Sequence, residues 1–101
     1  MIRGSTPTHI FEIPFDTSNI ADLRVIYSQN GREIVSKRPA ECTLDGQVIT
    51  VTLTQEDTLK FDCSQMVKIQ LKILSTNGRA LLSDVMLKDV DECLSDEVLA
   101  V

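Results

Sequence analysis

From Met66 to Leu74 the chain alternates without a break, with Val67, Ile69, Leu71 and Ile73 on one side and Lys68, Gln70 and Lys72 on the other. A period of two puts each set on one face of a strand, so this stretch has one face for a core and one for water. Three further runs behave alike. In Thr8–Phe15, the residues Phe11, Ile13 and Phe15 share a face with His9 in phase and Glu12 opposite. In Asp22–Gln29, Leu23, Val25 and Tyr27 oppose Arg24 and Ser28. In Gln47–Leu53, Ile49, Val51 and Leu53 alternate with Val48, Thr50 and Thr52. Strands wet on one face only are the habit of antiparallel sheets.

The turn residues support this reading. Asn30-Gly31, Asp45-Gly46 and Asn77-Gly78 each stand between two strand-like runs. Such pairs tolerate positive φ at both central positions, as a type I′ hairpin turn requires. The chain therefore reads as hairpins of 22–29 with 32–38, 41–44 with 47–53, and 65–75 with 79–88. Pro39 separates the first two, and Pro14 marks an edge strand or a bulge. Thr54-Gln55-Glu56-Asp57 supplies an N-cap residue followed three later by an acid, which predicts a short helical turn near 54–58. Leu59 and Phe61 would then close the end of the core. The likeness of 26–36 to 73–83 is shared hairpin chemistry, because their buried faces, on Tyr27 and Ile73, are out of phase when the two are aligned.

With 101 residues and 43% hydrophobic content, the chain is the size of one domain with a core of its own. The expected organisation is an N-terminal arm over 1–7, a single β-sandwich domain over 8–90, and an acidic C-terminal stretch over 91–101. The last residues, Asp89–Val101, read either as a tail or as a short helix with Val90, Leu94 and Val98 on one stripe. The fold expected is all-β, an antiparallel sandwich of about seven strands.

Function is read first by exclusion. A net charge of −5, with ten scattered basic residues, argues against nucleic acid, whose phosphates demand clustered Lys and Arg. No stretch approaches the ~18 apolar residues of a membrane-spanning helix, and the N-terminus lacks the apolar core of a signal peptide. The expected location is the cytoplasm, with no membrane partner. His9 is the only imidazole base, and pairing it with Cys42 or Cys63 as a nucleophile has no local motif behind it. Cys42, Cys63 and Cys93 are odd in number and widely spaced, which fits reduced thiols better than disulfides or zinc.

Asp89-x-Asp91-Glu92 offers oxygen ligands for Ca²⁺, but without a glycine turn or a second ligand cluster. The four glycines are isolated, so no phosphate-binding loop is formed. The Asn-Gly-Arg triplets at 30–32 and 77–79 read as turns, and too few aromatics are left over for a sugar-binding surface. No catalytic, cofactor-binding or metal-binding residue is assigned, and an enzyme is not expected. What remains is surface for protein partners, above all the unpaired edges of sheets.

Two resemblances add to this reading. Leu53-Thr54-Gln55-Glu56-Asp57-Thr58-Leu59-Lys60-Phe61-Asp62-Cys63 resembles the Leu-Thr…Glu-Asp-Thr-Ala-x-Tyr-x-Cys segment of immunoglobulin variable domains. Phe61 stands where that family has its corner tyrosine, no Trp is present, and no upstream cysteine is placed to bridge two sheets with Cys63. The resemblance implies an immunoglobulin-like architecture and nothing immunological.

The second resemblance spans nearly the whole chain. Met1-Ile2-Arg3-Gly4, Thr6-Pro7-Thr8-His9, Ile13-Pro14-Phe15-Asp16, Tyr27-Ser28-Gln29-Asn30-Gly31, Leu53–Thr58 and Ala80-Leu81-Leu82-Ser83-Asp84 are similar to small phage and prophage proteins of Gram-positive gut bacteria. Those are encoded among virion structural genes. The resemblance implies a non-enzymatic structural or virion-assembly protein, in the virion or the host cytoplasm. Its partners would be phage structural proteins or further copies of itself. The alternative is a cytoplasmic adaptor or regulator that binds a host or phage protein during infection.

Overall fold

The computed structural model describes residues 1–101. Eight strands form two antiparallel sheets: β1 (Thr8–Glu12), β2 (Ile20–Gln29), β3 (Arg32–Lys37), β4 (Cys42–Asp45), β5 (Val48–Thr52), β6 (Val67–Ser75), β7 (Ala80–Leu82) and β8 (Met86–Lys88). One sheet runs β1-β5-β4 and the other β3-β2-β6-β7, with β8 also on β6. The alternating apolar sets all face inward. Leu23, Val25, Tyr27, Ile49, Val51, Leu53, Val67, Ile69, Leu71 and Ile73 form one core between the sheets, joined by Phe11, Ile13 and Phe61. This is the all-β sandwich expected from the periodicity.

Successive strands pass back and forth between the two sheets, β1, β4 and β5 lying in one and β2, β3 and β6–β8 in the other. The turn expected near 54–58 is a short helix α1 (Gln55–Leu59), which carries the chain from β5 in one sheet to β6 in the other. Its capping box is complete: Thr54 Oγ1 accepts from the Asp57 amide at 3.1 Å, and Asp57 Oδ2 accepts from the Thr54 amide at 2.9 Å. Phe61 is buried just beyond it, while Leu59 is only half-buried.

Three details differ from expectation. Only Asn30-Gly31 has positive φ at both central positions. Asp45 pairs with Val48, so that loop is Gly46-Gln47, and only Gly46 takes a positive φ. Around Asn77 the turn is longer: Ser75 and Arg79 close it, and Gly78 alone adopts the left-handed conformation. A single long pairing partner for β6 over 79–88 is replaced by β7 and β8, giving eight strands rather than about seven. The register sum moves by one residue between the Lys72–Leu82 and Ile69–Met86 pairs, so Ser83–Val85 is a bulge. The Ser83 hydroxyl helps hold it by accepting from the Leu71 amide at 2.9 Å.

The two ends of the chain meet. Residues 2 and 91 form a parallel bridge, and the Met1 ammonium donates to the Asp89 carbonyl at 2.6 Å. Arg3 donates to the carbonyls of Leu59 and Phe61, each at 2.8 Å, and pairs with Asp96. Residues 92–101 contain no helix. Nor does any helix of the chain have the length and apolarity to cross a membrane.

Candidate functional site

The sandwich is open along one side, between β1 and β7. The Ile13 amide donates to the Gln47 carbonyl and the Leu53 amide to the Pro7 carbonyl. These bonds assign the odd-numbered residues of β1 to β5, and leave the N–H and C=O of Thr8, Ile10 and Glu12 pointing away from the sheet. On the facing edge, Ser75–Arg79 and Leu71–Ser83 bonds commit the odd positions to β6, so Ala80 and Leu82 present free backbone groups. No strand of the chain flanks β1 on the side away from β5.

Between these edges lies a groove of about 460 Å³ with an almost wholly apolar lining. Phe11, Ile13, Leu71 and Ile73 form its floor, Leu81 and Met86 one wall, and Ile10 and Phe15 its other rim. Glu12 and Ser83 are the only polar side chains in it. Ile10 remains 63% exposed. An apolar trough beside unpaired donors and acceptors fits an extended peptide: main-chain bonds give affinity and alternate side chains fill the trough.

Two of the other edges, β3 and β4, are protected. On the edge strand β3, Lys37 points inward, a device that disfavours pairing with another chain. On β4 only four residues are available, ending at Asp45. β1 itself is bounded by Pro7 and Pro14, neither of which has an N–H to give. The open window is thus limited to Thr8–Glu12.

The second concentration of polar groups is internal. Lys37 Nζ lies 2.6 Å from Asp57 Oδ2 and 3.5 Å from Glu41 Oε2. Burial works against the Lys37 ammonium, but Asp57 and then Glu41 hold its pKa above the ordinary value. Burial also works against the Asp57 carboxylate, yet Lys37 and the Thr54 amide hold its pKa below the usual range. Gln29, also buried, clamps the following loop by donating to the carbonyls of Asp62 and Gln65 and accepting from the Asp62 amide. The Thr58 hydroxyl ties α1 to the N-terminal segment through Ser5 and Gly4. Every buried side-chain nitrogen and oxygen has a partner. The network is complete in itself, and it braces the fold.

His9 lies where its phase put it, half-buried, with Nδ1 2.8 Å from the Tyr27 hydroxyl. Burial, with Lys88 and the N-terminal ammonium nearby, lowers its pKa, so the ring is neutral at pH 7. Burial pushes the Tyr27 phenol well up, with Cys42 and Asp57 adding to it. Cys42 shares the partner residue Val51 with His9, one strand away on each side, so β5 stands between them. Burial and Glu41 raise the Cys42 thiol, the opposite of what a nucleophile needs. Cys63 is exposed on the loop after α1, and Cys93 donates to the Ser95 carbonyl. No family model, curated protein or solved structure matches this chain.

The remaining candidates stand apart. Asp89, Asp91 and Glu92 are exposed, and Asp91 engages the N-terminal segment through its backbone. Arg32 and Arg79 sit at separate hairpins, both exposed. Sequence reasoning missed the buried Lys37–Asp57 pair and Gln29. The signal was available, since Lys37 and Gln29 each follow a buried residue, Val35 and Tyr27, at the two-residue period.

Proposed function

We propose that this domain is a non-enzymatic phage or prophage protein, a structural or virion-assembly component that works by protein–protein contact. The contact is strand addition: an extended segment of a partner protein pairs with β1 and fills the apolar groove facing β7. The observation that carries it is the outward-facing backbone of Thr8, Ile10 and Glu12 beside that groove. The phage context rests on the resemblance of the quoted segments to proteins encoded among virion structural genes. The negative net charge favours a protein partner over nucleic acid.

The experiment is cross-linking mass spectrometry on induced, purified particles carrying either the native chain or Ile10→Lys. Lysine on an edge strand opposes pairing, and Ile10 is exposed enough to accept it. The native chain is expected in the particles, cross-linked to a structural protein through the segment around β1, and the variant to be depleted at least tenfold. Absence of the native chain from particles, with capture of a soluble host protein instead, would make it a cytoplasmic adaptor.

A further inference from the structure

A second surface has complementary halves within this one chain. On the outer face of the five-stranded sheet, Lys72 lies between Arg24 and Leu82, and Lys68 between Ser28 and Leu87. Leu74 continues the face beside Ala80. Leu74, Leu82 and Leu87 are all exposed, although residues directly opposite on a sheet share contacts and are usually polar on a wet face. The four ion pairs of the chain use Arg3, Arg24 and Lys37 as their cations, so Lys68 and Lys72 have no anionic partner.

The opposite chemistry stands at the C-terminal end. Asp91, Glu92 and Glu97 carry unpaired carboxylates, interleaved with Leu94, Val98, Leu99 and Val101. Leu94 is as exposed as in a free peptide, at 103%. Beyond the local contacts of Cys93 with Ser95 and Asp96, the segment after Cys93 is held by two side chains, Arg3 on Asp96 and Gln55 on the Leu99 backbone. Both contacts lie at the surface although Arg3 and Gln55 are half-buried, and an exposed ion pair contributes about 0–1 kcal/mol. Released, eight residues reach roughly 26 Å.

We infer that the outer face of the five-stranded sheet is the docking site for residues 91–101 of a second copy of the chain. Lys68 and Lys72 receive the carboxylates, while Leu74, Leu82 and Leu87 cover the apolar residues between them. The contact joins two different surfaces, so it is head-to-tail and propagates into chains or rings rather than stopping at a symmetric dimer. It does not use the β1 groove, whose lining offers no cation to an acidic segment.

Sedimentation velocity on the purified chain tests this. Mass should grow with concentration in dilute salt and fall back toward monomer in 0.5 M salt, since the charges are exposed. Lys68→Glu with Lys72→Glu, and separately Asp91→Asn with Glu92→Gln and Glu97→Gln, should each weaken association at least tenfold. Both sets change exposed side chains, and circular dichroism checks that the fold is kept. Mixed one to one, the two variants retain a single working interface and should form a dimer that grows no further. A native chain that stays monomeric, variants that still associate, or a mixture that stays monomeric would each overturn the inference. Ile10→Lys should leave this association intact, and association abolished by that change would move the contact to the β1 edge.

Discussion

Lys37 Nζ and Asp57 Oδ2, 2.6 Å apart, join the last residue of β3 to the first turn of α1. Both side chains are nearly shut off from water, so their value shows when one is removed. Asp57→Asn preserves the size of the cap residue and leaves an ammonium buried beside a neutral amide. The expected loss is about 3–5 kcal/mol by urea unfolding. Lys37→Met added to that variant should cost less than the sum of the two single changes. A loss below about 1 kcal/mol for Asp57→Asn would mean that water reaches the pair.

Stability should fall with acid in two separate windows. The Asp57 carboxyl is held below the ordinary 3.8 despite its burial, so the unfolded chain takes up this proton first. The pair is whole above that value and is lost as pH falls through the carboxylate range. His9 acts earlier. Its pKa is lowered from 6.5, so below that pH the unfolded chain gains a proton that the folded one refuses. Stability declines from there until the folded ring protonates too. Urea midpoints measured against pH should show both descents, and His9→Gln should remove the upper one alone.

Gly31 has a φ of +72° with nothing near the position a Cβ would take. Gly31→Ala therefore meets no clash and probes only the backbone, at an expected cost of about 1–2 kcal/mol. Gly46, at φ +57°, has equally open space and should respond alike. Thermal unfolding of the two alanine variants gives the comparison. A neutral Gly31→Ala would mean that the β2–β3 turn relaxes to another type.

Tyr27 is fully buried, and its hydroxyl meets His9 Nδ1. Tyr27→Phe keeps the ring packing against Phe61 and removes only that bond. A loss of about 1 kcal/mol is expected. His9 is half-buried, so water partly replaces the hydroxyl.

The periodicity of two made the sandwich legible because each strand keeps one face dry. Val67, Ile69, Leu71 and Ile73 are all buried, and Lys68 and Lys72 are exposed. The capping box at Thr54 and Asp57 was equally readable, since it depends on four consecutive residues. The bulge at Ser83–Val85 was not, because it arises from how β6 is shared between two short partners. The groove was legible only in part. Pro14 announced an edge, but an edge becomes a site only when the facing strand also lacks a neighbour, which is a matter of sheet order. Lys37 was in phase with the core, yet its charge needed Asp57 from another element, and no local pattern names that partner.

The bridge between residues 2 and 91 also bears on synthesis. On the ribosome, Arg3 emerges long before the strand that leads to Asp91. Until residue 91 is out, the N-terminal segment lacks that bridge, and the end of the core at Leu59 and Phe61 is only partly covered. Closure of the ends is therefore a late event in the life of each nascent chain. For that interval the domain resembles a purse with its drawstring untied.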